Sequence, residues 1–229
     1  MSQSSEFGGE LYHAIPLHYL PSLFAAGALY AQSVLRASPS TVSGVPVGIE
    51  ARRTAKKRDR ALGLADYVHL SPTAVTPLLA DKFAKGYPHA LLIFDADVVL
   101  KLPEIAVLPY NTKAWRTRAC YVPVTDPGER GALLARYQEG RRLRSLEILV
   151  KYGLPLNCAT KIAFVDDQER DAVARSVQGA EMRSRLVVEP SLFPVQGNTP
   201  AVHWVVIQDY LDRCHFEEHL PLPPVVPFD

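Results

Sequence analysis

Leu146-Glu147-Ile148-Leu149-Val150, introduced by Arg144 and Ser145, sets one carboxylate inside an apolar run. A short apolar run of this kind reads as a buried strand. A glutamate fixed there is rigid and desolvated, a setting that raises its basicity or focuses its field. Taken alone, the same residue also reads as an edge-strand side chain pointing into water.

Outward from this run, further short strands are expected at Leu11–Ile15, Tyr67–Leu70, Ala90–Phe94, Ile105–Leu108 and Ile162–Val165. Ala90-Leu91-Leu92-Ile93-Phe94 is the most strand-like of them and fits the centre of a sheet. Helices are expected over Leu17–Ala26, stopped by Gly27, over Ile49–Ala61, Thr73–Lys85 and Ala132–Arg142, and over Asp167–Val177. Asp95–Leu102 reads as a turn or short helix. The stretches Ala31–Gly48 and Pro109–Gly131 read as loops, Val202–Tyr210 as strand or helix, and the four-proline tail Leu220–Asp229 as extended. Strands outnumber long helices and do not alternate with them, which predicts a mixed α+β fold rather than a doubly wound parallel sheet.

Bulk properties bound the answer. A chain of 229 residues fits one domain with a decorated end: a flexible N-terminus over 1–10 and a C-terminal extension over 180–229. With 48% hydrophobic and 21% charged residues, the composition is that of a globular chain and excludes a disordered one. Nineteen prolines at segment edges agree with short elements joined by shaped loops. No apolar run approaches the roughly 18 residues of a membrane helix, and Met1–Glu10 carries no secretory signal. Cys120, Cys158 and Cys214 lack metal-ligand spacing, and an odd count argues against a disulfide framework. A cytoplasmic protein with reduced thiols and no metal is the expectation.

Other residues carry candidate chemistry. Ile49-Glu50-Ala51-Arg52-Arg53 offers guanidinium forks that grip phosphates; a solvated basic helix face is the plainer reading. His13 follows Tyr12 on the first strand and reads either as a structural histidine or as a ligand to substrate. Tyr67 reads as half-buried packing or as a stacking surface. Lys56, Lys57 and Arg58 form one basic cluster. Arg136, Arg141, Arg142 and Arg144 form a second, and Lys113, Arg116 and Arg118 interleave with Trp115 and Tyr121. Basic groups neutralise backbone phosphates while aromatics stack on exposed bases, so these clusters suit single-stranded nucleic acid. They also read as ordinary surface charge, given 24 acidic residues and a net charge of +1.

In order and spacing, these elements resemble the DarT family of DNA ADP-ribosyltransferases over residues 11 to 165. Leu11 to Leu29 is similar to that family's opening aromatic-basic pair and Gly-terminated helix. Ile49 to Arg53 resembles its Ile-x-x-Arg element, Asp66 to Leu78 its Asp-Tyr-Val stretch leading to Ser-Pro, and Arg144 to Val150 its Arg-x-Ala-Glu-Phe-Leu-Val. The chain differs at Ile15-Pro16, at His69-Leu70 and at Leu146.

The resemblance implies an ADP-ribosyltransferase-like split antiparallel β-sandwich around an NAD cleft with flanking helices. It implies Glu147 and Arg52 as the catalytic pair, with His13, Tyr12, Arg52, Arg53, Tyr67 and Ser71 binding NAD. Nucleic acid would be bound by Lys56, Lys57, Arg58, Trp115, Arg116, Arg118, Arg141, Arg142 and Arg144. NAD is then a substrate, no metal is needed, and a neutralising antitoxin or immunity partner fits the class. Transfer to protein or RNA, NAD hydrolysis, and a non-catalytic nucleic-acid-binding module on the same fold are the competing readings.

Overall fold

The computed structural model describes residues 9–37, 59–84, 88–109, 119–138, 146–194 and 225–227. The chain opens with strand β1 (Glu10–Pro16), a 3-10 turn over Leu17–Tyr19, and helix α1 (Leu20–Ala26). Gly27 ends that helix at φ 69°, and its amide donates to the Leu23 carbonyl at 3.0 Å. This left-handed cap is free of steric penalty only for glycine. Then follow β2 (Ala28–Tyr30), α2 (Gln32–Ala37), β3 (Tyr67–Leu70), α3 (Pro77–Ala84), β4 (His89–Asp95), α4 (Ala96–Val99) and β5 (Ile105–Leu108). The remainder comprises β6 (Ala119–Tyr121), α5 (Pro127–Gln138), β7 (Glu147–Lys151), β8 (Gly153–Pro155), β9 (Ala159–Phe164), α6 (Asp167–Ala174), α7 (Ala180–Ser184), β10 (Leu186–Val188) and β11 (Val225–Pro227).

Two sheets dominate. The larger has the order β1-β4-β9-β10 and the smaller β3-β7-β5; β2 pairs with β8 and β6 with β11. All pairings are antiparallel except β9 with β10. One main core unites the sheets, with Leu11, Leu92, Phe94, Ile162 and Phe164 from the larger and Val68, Leu70, Val107, Ile148 and Val150 from the smaller.

Strand alternation explains why β4 is apolar from Ala90 to Phe94. Ala90, Leu92 and Phe94 face the main core, whereas Leu91 and Ile93 face a second cluster with Leu79, Phe83 and Phe193. A strand covered on both faces has no position left for a polar side chain. The expected α+β class, with strands as the frame and helices around them, is what the chain adopts.

Element boundaries differ from expectation in instructive ways. The loop assigned to Ala31–Gly48 contains α2. The helix expected over Ala132–Arg142 starts earlier, at Pro127, inside what reads as loop. Asp126 is its cap, its Oδ1 accepting the Glu129 amide at 2.9 Å, with Pro127 pre-set in the first turn. The expected Thr73–Lys85 helix starts at Pro77 for the same reason, Thr76 Oγ1 accepting the Leu79 amide at 3.2 Å. Glu10 already belongs to β1, and β10, within the expected C-terminal extension, is a strand of the larger sheet. Of the expected Ile49–Ala61 helix, 59–61 is helical and the rest lies outside the described residues. Among the described residues, no helix is long and apolar enough to cross a membrane.

Candidate active site

The two main sheets meet at one isolated backbone rung between β1 and the residue after β3. The Tyr12 amide donates to the Ser71 carbonyl at 2.7 Å, and the Ser71 amide returns a bond to the Tyr12 carbonyl at 2.9 Å. Continuing that register would set Ala14 against His69, but the strands part. The His13 ring takes the vacated position, its Nδ1 donating to the His69 carbonyl at 2.9 Å. A carbonyl only accepts, so this contact fixes the His13 tautomer with hydrogen on Nδ1. Burial, foremost, and the neighbouring His69 charge hold His13 below the usual histidine range, against the pull of its carbonyl partner and of Glu147.

Glu147 opens β7, the central strand of the smaller sheet. Its register partner in β5 is Leu108, and Leu149 pairs with His69 of β3. Glu147 and His69 are thus diagonal neighbours on one face, a spacing that long side chains bridge. His69 Nδ1 lies 3.0 Å from Glu147 Oε2, and its Nε2 lies 3.2 Å from the Leu64 carbonyl. The Glu147 side chain is 13% exposed and that of His69 29%.

Both nitrogens of His69 therefore face acceptors. Since Nε2 must donate to Leu64, a neutral ring would aim a lone pair at the carboxylate; the imidazolium satisfies both partners. Burial opposes that charge, but the Glu147 charge and hydrogen bond, helped by Asp59 and the Leu64 carbonyl, outweigh it and raise the group to about 9. The result is a desolvated carboxylate with a fixed orientation, able to face a developing positive charge or to accept a proton.

The other candidate residues divide sharply. Tyr12 turns to the second cluster, its hydroxyl donating to Glu10 Oε2 at 2.9 Å. Burial first, then the Glu10 bond and charge and the Glu189 charge, raise its phenol above the usual range, so it remains a donor. Ser71 Oγ accepts the Thr73 amide at 3.1 Å in a local turn. Tyr67 shares the face of His69 and Glu147 but pairs with Lys151, roughly 13 Å along β7 from Glu147 at strand spacing. There it lines an open recess of 340 Å³ with Glu104, Thr125, Arg130 and Lys151.

His13 and Glu147 are thus brought together through His69, Tyr12 and Ser71 tie the sheets by their backbones, and Tyr67 stands apart. Arg52, Arg53, Lys56, Lys57, Arg58, Trp115, Arg116, Arg118, Arg141, Arg142 and Arg144 lie outside the described residues. Sequence reasoning missed His69 as a site residue. The available signal was period two, which sets Tyr67 with His69 on one face of their strand, and Glu147 with Leu149 and Lys151 on one face of theirs.

No family model matches the sequence, and neither does any curated protein. Solved structures do match in fold. DarT of Thermus sp. 2.9 in complex with ADP-ribosylated ssDNA aligns over 84% of this chain and 100% of its own, with TM-score 0.62 and 15% identity. The same protein in complex with NAD+ aligns over 80% of this chain and 96% of its own, with TM-score 0.55 and 16% identity. DarTG of Thermosipho africanus in complex with ADP-ribose gives TM-score 0.60 at 11% identity, over 82% of this chain and 51% of that one. The two sheets joined at Tyr12 and Ser71, with Glu147 beside their junction, are those of a DarT-like, ADP-ribosyltransferase-type fold.

Proposed function

We propose that this protein is an NAD-dependent ADP-ribosyltransferase that modifies a base in single-stranded DNA. The observation that carries the reading is the likeness to DarT structures holding NAD+ and ADP-ribosylated ssDNA, which spans nearly all of the related chain. The position of Glu147 gives that likeness its chemistry.

In the proposed reaction the bond between nicotinamide and ribose C1′ breaks and nicotinamide leaves with the bonding pair. A bond from C1′ to the acceptor base forms, and the acceptor's proton is released. Positive charge spreads over the ribose ring at the transition state. A pre-fixed carboxylate stabilises such charge without reorganisation, the logic that also governs glycosidase carboxylates. Glu147 fits this role and is also suited to take the acceptor's proton. Arg52 and Arg53 would hold the NAD phosphates, acting through binding and orientation. His13 would contact the dinucleotide with Nε2, since its Nδ1 is committed to the His69 carbonyl.

Charge and connectivity support the acceptor. Pro109 follows Leu108, the register partner of Glu147; Leu146 precedes Glu147; Asp59 acts on His69. The three basic segments, 52–58, 110–118 and 139–145, adjoin these residues in the sequence. Cations arranged that way would draw a phosphate backbone toward the carboxylate. An unpaired base reaches a recessed carboxylate without the unstacking energy that a duplex demands. A toxin role, with a neutralising antitoxin, belongs to the same proposal, and the DarTG likeness supports it.

The test is incubation with labelled NAD and, in parallel, single-stranded DNA, duplex DNA, RNA and cell-extract protein, followed by mass spectrometry. Single-stranded DNA should gain ADP-ribose with release of nicotinamide. Label on protein alone, or free ADP-ribose alone, would sink the acceptor; no use of NAD in any arm would sink the enzyme.

A further inference from the structure

We infer that His69 is a positioning residue for Glu147, holding its carboxylate in one orientation for the transfer reaction. This rests on the proposed function and adds a residue to its machinery.

The geometry carries the inference. Oε2 of Glu147 is held at 3.0 Å by a ring whose far nitrogen is anchored 3.2 Å from the Leu64 carbonyl. Leu64 is fully buried and opens a 3-10 turn entered through Gly63 at φ 67°, so the anchor is itself fixed. The backbone of His69 is clamped independently by the His13 ring at its carbonyl. Three segments thus converge on one residue: β1 on its carbonyl through His13, and the 64–66 turn and β7 on its ring through Leu64 and Glu147. Among the described residues, the charged and titratable groups that act on it are Glu147 from β7, Asp59 from the 59–61 helical turn, and His13 from β1. With an acceptor on each side the ring suits the imidazolium form, which donates to both and holds the carboxylate by a charge-assisted hydrogen bond.

A glutamate carries three side-chain torsions, and losing this tether removes one of the contacts that fix them. A misplacement of about 1 Å in a reacting constellation costs up to about 10²-fold in rate. His69→Phe should therefore lower kcat by about 10²-fold while KM for NAD changes less than about threefold. His69→Asn keeps an N–H near the position of Nδ1 and should recover part of the loss. A role in folding alone would instead lower the amount of active protein in both variants and leave the kcat of the folded fraction unchanged.

A second measurement needs no variant at this position. Nitrogen NMR of the imidazole should find both ring nitrogens of His69 protonated at pH 7 in the wild type. In Glu147→Gln the ring should lose its proton at least about one pH unit lower. A wild-type His69 that is neutral at pH 7, or a His69→Phe enzyme with kcat within twofold of wild type, overturns the inference while transfer persists. An inactive wild type overturns both the inference and the parent function, so the two failures are told apart by the wild-type arm alone.

Discussion

Tyr12 and Ser71 exchange both backbone hydrogen bonds, 2.7 and 2.9 Å long, and so join two sheets that otherwise diverge toward His13 and His69. Ser71→Pro removes one of the two donors. We expect it to lower unfolding free energy by about 1–3 kcal/mol and to weaken NAD binding. Ser71→Ala, which keeps the rung, should stay within about 0.5 kcal/mol of wild type. Urea unfolding of both variants is the check, and equal stabilities would mean that the rung does not hold the sheets together.

Glu147→Gln preserves shape and removes charge. ADP-ribose transfer should fall on the order of 10²–10³-fold, the usual consequence of losing one preorganised transition-state group. Retention of more than a tenth of wild-type activity would transfer the chemical role to another side chain. Circular dichroism of the variant separates loss of chemistry from loss of fold.

Stability should depend on pH through two histidines of opposite habit. His69, raised to about 9 when folded against about 6.5 unfolded, contributes fully below about 6.5. That contribution is lost as pH rises from about 6.5 through 9. His13, held low by burial, contributes above about 6.5 and its share is lost as pH falls below that value. The difference in Tm between wild type and His69→Asn should therefore shrink from pH 6.5 to pH 9. A difference that stays flat across this range would contradict the ion pair.

Binding of single-stranded DNA should weaken with salt. Replacing Lys56, Lys57 and Arg58 together by Ser should reduce the slope of log K against log salt by about two, at roughly 0.7 for each phosphate no longer neutralised. Filter binding or anisotropy over a salt series measures this. An unchanged slope would mean that these side chains meet no phosphate.

The Asp126 cap offers a control away from the chemistry. Asp126→Ala should lower stability by about 1 kcal/mol, through loss of the bond to the Glu129 amide, and leave kcat unaltered. A fall in kcat would tie α5 to the site.

Where the sequence predicted well, one physical signal dominated. Ala90–Phe94 is apolar on both faces because that strand is covered on both faces, and Leu146–Val150 is buried at every position but Glu147; such runs announce themselves. The three-residue strands β2, β6, β8, β10 and β11 were illegible as pairs. Each is fixed by a partner remote in the chain, as Val225–Pro227 is by Ala119–Tyr121, and three residues carry too little pattern to be seen alone. The start of α5 was legible in principle from Asp126-Pro127, but Gly128 and Gly131 mask a cap signal by their poor helix propensity.

The site was half legible. Glu147 stood out as a carboxylate in an apolar strand, and its low exposure agrees with that reading. His69 did not stand out, because its partner is 78 positions away and nothing local marks the pair. Tyr67 is expected among the NAD-binding residues, and strand register sets it four residues along the face of β7 that carries Glu147.

The pairing of Leu108 with Glu147 also bears on how such a scaffold can be altered. The ladder between β5 and β7 sets Ile105–Leu108 against Glu147–Val150, and β3 covers the other edge of β7, so the strand that carries Glu147 takes its place from backbone pairing on both sides. Exchanging that one side chain therefore leaves the frame standing, and chemistry can be varied on this scaffold without rebuilding it.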